Sequence, residues 1–68
     1  MKMIYRIKCQ TGYAILGEDP PKMDVNATYH VIGQTVHYPH CYVVARCDGE
    51  EYCGNKTWIV HTDALEPI

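Results

Sequence analysis

Four Cys and four His in a chain of 68 residues are the groups with the greatest capacity for chemistry. Both types bind metals, and they also supply nucleophiles and proton carriers. The densest cluster is His37-x-x-His40-Cys41, with Cys9, Cys47, Cys53, His30 and His61 as groups that could complete a tetrahedral zinc site. A structural zinc site normally carries a Cys-x2-4-Cys knuckle. Here five residues separate Cys41 from Cys47, and five more separate Cys47 from Cys53. Zinc held among His37, His40, Cys41, Cys47 and Cys53, as a staple for a thin fold, is therefore one expectation. The competing one is that the cysteines are free, small core side chains with no cofactor at all.

Catalysis finds little support. His40 and Cys41 are neighbours, but adjacent residues on a strand point to opposite faces, so they cannot form the hydrogen-bonded pair that activates a thiol. The chain has no Ser, which excludes a serine triad. Its five Gly are scattered singly, as turn glycines are, and form no phosphate loop. Cys41 and Cys47 on one strand would lie about 20 Å apart, too far for a disulfide. Cys47 and Cys53 could meet across a hairpin, although without an export signal reduced thiols are the default. The four His together could sense pH; the plainer expectation is half-exposed strand and turn positions.

The elements that would position these groups read as short strands. Met1, Met3, Tyr5, Ile7 and Cys9 fall on one face and Lys2, Arg6, Lys8 and Gln10 on the other, with Ile4 as the exception. The basic face suits an edge strand guarded against edge-to-edge pairing, or a docking strip for an acidic partner. Gln10-Thr11-Gly12 signals a turn, and Tyr13–Leu16 continues or pairs with the first strand. Residues 17–28, with Asp19-Pro20-Pro21, form a long irregular loop of the kind that carries binding. Tyr29–Tyr38 is the next strand, with a bend or bulge at Gly33. Cys41–Cys47 follows, with Cys41, Val43, Ala45 and Cys47 on one face. Asp48-Gly49 and Gly54-Asn55 are turn signals. Two registers fit them: a tight turn pairing Cys47 with Glu50, or a longer loop placing Cys47 opposite Cys53. Asp48, Glu50 and Glu51 read as a solvated acidic turn. Thr57–His61 is a strand with Trp58 and Val60 on one face and Ile59 on the other. Thr62 or Asp63 caps a single helical turn over Ala64 and Leu65, which Pro67 stops.

Five short strands, a long early loop and a one-turn helix before the last strand resemble the Src-homology-3-like small barrel, from about Met3 to Ile68. The best match is the tail, Trp58-Ile59-Val60 and then Leu65-Glu66-Pro67-Ile68. The resemblance implies an all-β, five-stranded barrel with a short 3-10 turn near the C-terminus. The peptide-binding members carry an Ala-Leu-Tyr-Asp-Tyr type motif, a tandem Trp opening the third strand, and a Pro in the one-turn helix. This chain departs on all three, with Tyr42 and Val43 where the aromatics would stand. Proline-rich peptide binding is not carried over, and fold alone does not supply function.

Size and charge bound the function. A chain this short buries only about 60% of its unfolded surface, so its single domain has a marginal core and little room for an enclosed active site. The formal charge of −2 argues against a nucleic-acid surface, although a basic strip with aromatics keeps a nucleic-acid-binding barrel as an alternative. No apolar run is long enough for a signal peptide or membrane span, so the expectation is a free-standing cytoplasmic protein. Six Tyr and one Trp, with no Phe, favour half-exposed, partner-binding faces. The leading expectation is a non-enzymatic interaction module, a small inhibitor or modulator of a larger protein. Bacteriophage accessory proteins are often of this size. Tyr13, Tyr29, Tyr38, Tyr42, Tyr52 and Trp58 are the candidate contact residues. A structural zinc domain is the second reading, and a homodimer is a further expectation for a marginal core with open strand edges.

Overall fold

The computed structural model describes residues 3–9, 11–13 and 17–68. Met1, Lys2 and Gln10 of the N-terminal alternation, and most of the Tyr13–Leu16 segment, lie outside the described residues. The strands are β1 (Ile4–Ile7), β2 (Tyr29–Gln34), β3 (Cys41–Arg46), β4 (Thr57–His61) and β5 (Leu65–Pro67). They form one antiparallel sheet in the order β4-β3-β2-β1-β5. A 3-10 turn, Thr62–Ala64, joins β4 to β5. The all-β, five-stranded expectation and its C-terminal turn therefore hold, but the sheet is not closed, since β4 and β5 are its edges.

Alternation sets the inner face. Ile7, Tyr29, Val44, Trp58, Val60 and Leu65 are buried together with Met23, and Tyr5, Val31, Tyr42 and Tyr52 pack against them. Register explains the set, because Val44 stands opposite both Val31 and Trp58, and Tyr42 opposite Val60. At the centre, Tyr29 and Trp58 meet edge to face, with ring centroids 5.6 Å apart and planes at 86°. That geometry sets the positive edge of one ring on the negative face of the other. Their polar tips reach the returning arm of the long loop. Trp58 Nε1–H donates to the Lys22 carbonyl at 2.9 Å, and the Tyr29 hydroxyl to the Asp24 carbonyl at 2.8 Å, with Met23 buried between these anchors. Residues 17–28 lack a strand of their own and are held in this way. Burial pushes the Tyr29 phenol above its usual pKa.

Local signals mostly find their targets. The β2–β3 register shifts between Val31 and Gly33, so Ile32 is the extra residue of a bulge, as the glycine suggested. The strand stops at Gln34, short of Tyr38, because Thr35 Oγ1 donates to the Tyr38 carbonyl at 2.6 Å and closes a loop over 35–40. The helical turn is capped by His61, whose Nδ1 accepts from Asp63 N–H at 3.1 Å, and not by Thr62 or Asp63. Neither hairpin register anticipated for Cys47 occurs. The β3–β4 ladder ends at Ala45 opposite Thr57. The connection folds on itself, with one turn closed by Gly49 N–H to Arg46 C=O and a second centred on Cys53-Gly54. Both central residues of the second turn have positive φ, 51° and 82°, as the favoured two-residue hairpin turn requires. Tyr52, packed on the core, draws this connection inward.

Both sheet edges are blunted. At β4, Tyr13 N–H donates to the Ile59 carbonyl at 2.7 Å, so the segment that precedes the long loop occupies part of that edge. Gly12 permits this approach, since a Cβ there would lie 3.2 Å from the Ile59 oxygen and 3.2 Å from Pro21 Cγ. At β5, Ile68 N–H points to Ile4 C=O, so by alternation Leu65 and Pro67 face outward. Leu65 N–H is used by the Thr62 carbonyl, and Pro67 has none. The basic residues Arg6 and Lys8 do not guard an edge, because β1 lies between β2 and β5.

Trp58→Phe tests the central tie. It strands the Lys22 carbonyl and is expected to cost about 1–3 kcal/mol in urea unfolding followed by circular dichroism. Trp58→Ala should cost about 3–5 kcal/mol, comparable to the whole stability of so small a domain, and leave the chain largely unfolded. A Trp58→Phe midpoint equal to that of the parent would show that the hydrogen bond contributes nothing.

Candidate functional site

The sheet and its long loop enclose an open groove of about 340 Å³. Tyr13, Glu18, Asp19 and Pro21 of the loop form one wall, and Thr57, Trp58 and Ile59 of β4 form the floor and opposite wall. The Tyr13–Ile59 hydrogen bond and the Trp58–Lys22 hydrogen bond fix the distance between the walls. Tyr13 stands 46% exposed at the rim. Its ring lies 5.5 Å from that of Tyr38 at an interplanar angle of 40°. The pair bridges the long loop and the 35–40 loop. Glu18 and Asp19 are exposed, and no Lys or Arg lines the groove. The site is thus an aromatic and apolar trough with an acidic lip.

The six aromatic candidates separate into three pairs. Tyr29 and Trp58 are core residues and are not surface contacts; Trp58 offers the groove only its floor. Tyr42 and Tyr52 are half-buried against the core. Tyr38 is half-buried as well, and Tyr13, the one exposed member of the six, packs against it from a segment distant in sequence. The loop over 17–28, read from sequence as a binding loop, supplies the groove wall. Thr57 and Ile59 were not anticipated; the alternation of β4 had already placed Ile59 opposite Trp58, which is the signal that could have found it.

The His and Cys candidates do not converge. Among the described residues no three His, Cys, Asp or Glu side chains are placed to hold a metal ion. Cys41 is buried on β3, His37 and His40 are exposed in the 35–40 loop, and Cys47 and Cys53 are free and exposed in separate turns. His40 takes a left-handed backbone (φ 64°), and its carbonyl accepts from Thr62 N–H at 2.9 Å, tying this loop to the 3-10 turn. The His40 and His61 rings lie 6.2 Å apart.

The acidic turn is more structured than expected. Arg46 grips Asp48 in two hydrogen bonds, Nε to Oδ1 at 3.0 Å and Nη2 to Oδ2 at 2.6 Å, and its Nη1 lies 3.6 Å from Asp24 Oδ2. Asp48 Oδ1 also accepts from Glu50 N–H at 2.9 Å. This clamp joins the long loop to the 47–49 turn at the end of the sheet. The Arg46 hydrogen bonds, followed by that from Glu50 N–H, hold the Asp48 carboxyl below its usual pKa, and the same contact raises that of Arg46.

No protein family, no curated protein and no solved structure matches this chain. No helix among the described residues is long and apolar enough to cross a membrane.

The lowered Asp48 pKa gives a signed expectation. Folding favours the ionised carboxylate, so its contribution is present above the ordinary carboxylate range and is lost as pH falls through the folded value. The stability gap between the parent and Asp48→Asn should be constant near neutrality and close as pH drops below about 4. Thermal unfolding across a pH series measures it; a gap that stays unchanged into strong acid would contradict the assignment.

Proposed function

We propose that this chain is a non-enzymatic protein-interaction module, a small inhibitor or modulator of a larger protein of the kind bacteriophages encode. The observation that carries this reading is the Tyr13–Tyr38 pair, in which exposed Tyr13 stands at the rim of the groove and half-buried Tyr38 packs against it. Paired tyrosines supply large contact area with few rotatable bonds, and aromatic side chains dominate binding hot spots. Pro21 and the backbone ties at Tyr13 and Gly12 hold the rim in place before binding, which lowers the ordering cost of association. Glu18 and Asp19 on the lip favour a partner whose contact surface carries Lys or Arg. With both sheet edges blunted, the partner docks on side chains and does not add a strand. The strand order, with the 3-10 turn before β5, supports reading the open sheet as a small barrel of the Src-homology-3-like type.

Affinity capture from host extract with the parent chain, repeated with Tyr13→Ala and Tyr38→Ala, tests the reading. The parent should retain a specific protein, and each substitution should weaken its binding by at least about tenfold, or about 1.4 kcal/mol. Tyr13 is exposed, so Tyr13→Ala should unfold at nearly the parent's urea midpoint; Tyr38 is half-buried, so its variant is compared at a temperature and denaturant level where it is fully folded. Recovery of the bait alone, or equal binding by all three proteins, would refute the proposal.

A further inference from the structure

The sheet carries a second apolar surface on its outer face, away from the core. Register places Ile4 opposite His30, and His30 opposite Ala45. Ile68 N–H donates to Ile4 C=O and continues the same row onto β5. Ile32, the extra residue of the bulge, is exposed two positions beyond His30 on β2. Ile4, Ile32 and Ile68 are 43%, 52% and 67% exposed, whereas their counterparts on the inner face are buried. In the next row Arg6 stands opposite Glu66, both exposed. The Lys and Arg ion pairs among the described residues are those of Arg46 with Asp24 and Asp48, and Arg6 and Glu66 are not within ion-pair distance of each other.

We propose that this β5–β1–β2 end of the outer face binds a second copy of the chain about a twofold axis. A twofold interface must complement itself. Three isoleucines beside the cross-strand Arg6–Glu66 pair can meet that condition, with exposed Lys8 further along the same side of the N-terminal segment. Rotation can set Arg6 of each copy against Glu66 of the other and isoleucine against isoleucine. Association by strand addition is blocked at both edges, which leaves face-to-face stacking of sheets. A standard interface takes about 800 Å² from each partner, a modest share of the 4886 Å² this chain exposes. Burying the isoleucines would also add apolar burial that so small a core lacks. This surface lies across the sheet from the Tyr13–Tyr38 rim and does not depend on the groove's role.

Sedimentation equilibrium from micromolar to millimolar concentration tests the proposal. The parent should reach a dimer. Ile32→Asp should raise the dimer dissociation constant at least about tenfold, with unchanged circular dichroism; if it does not fold, Ile68→Asp at the chain end serves instead. Arg6→Glu and Glu66→Arg should each weaken the dimer, and the doubly swapped R6E/E66R chain should recover it. An equimolar mixture of the two single variants should also recover it, since each then faces its complement. The Tyr13→Ala, Tyr38→Ala double variant should dimerise like the parent. A parent that stays monomeric at millimolar concentration, an aspartate variant that dimerises like the parent, or a double swap no better than the single changes would each overturn it.

Discussion

The edge-to-face contact of Tyr29 and Trp58 is the interaction on which the other features depend. It joins β2 to β4 through the middle of the core and uses the polar end of each ring to hold the backbone at Lys22 and Asp24. Among the described residues, the only bridge to the long loop is that of Thr11 with Lys22. Its position is set chiefly by the two rings and the buried Met23, with the Arg46–Asp24 contact at its far end. The groove is the space between that loop and β4, so a residue invisible to a partner fixes the surface the partner would meet. This also explains why the chain can dispense with Phe in its core. Tyr and Trp fill the volume and tie down a carbonyl at the same time.

The second constraint is the open sheet. A five-stranded sheet that does not close leaves two rows of unpaired backbone groups, which in a chain of this size invite uncontrolled pairing. The molecule resolves this by different means at the two sides. The segment that precedes the long loop lies along β4, and close contact there needs Gly12. At β5, the 3-10 turn consumes the Leu65 N–H and proline removes the next donor. The C-terminal segment thus both completes the core through Leu65 and ends the sheet. What the molecule then offers to its surroundings is side chains more than strand backbone.

Much of the fold was legible because its signals are local. Alternation over β4 placed Trp58 and Val60 together, and the isolated Gly33 marked the bulge. The turn chemistry near Asp48-Gly49 and Gly54 was visible too, although Cys53 in place of Asn55 took the second left-handed position. What the sequence concealed was set at a distance. Strand alternation sorts residues into two faces but does not say which face is inside when both carry apolar side chains. Tyr29 and Trp58 therefore looked like surface candidates equal to Tyr13 and Tyr38. The cap on the 3-10 turn was misplaced by one residue because a His ring nitrogen accepted the hydrogen bond that hydroxyl and carboxylate side chains usually take. The hairpin register failed because Arg46 and Tyr52 reshape the connection, one through Asp48 and the other through the core.

Ile4 shows how much an apparent defect in a pattern can carry. In the N-terminal alternation it was the one apolar residue on the polar face. A strand whose outer side served only to contact water would have little reason to place isoleucine there, and one lapse alone would carry no weight, since single exposed apolar residues are ordinary. The structure changes its standing by context. Ile68, just past β5, donates its N–H to the Ile4 carbonyl, and Ile32 is the exposed extra residue of the β2 bulge. These three isoleucines, separated by more than sixty positions between the first and last, come to the same end of the sheet only through the strand order that puts β1 between β2 and β5. The same order sets Arg6 beside Glu66. An exception that reads as noise along the chain is, across the sheet, one of three exposed isoleucines beside the Arg6–Glu66 pair.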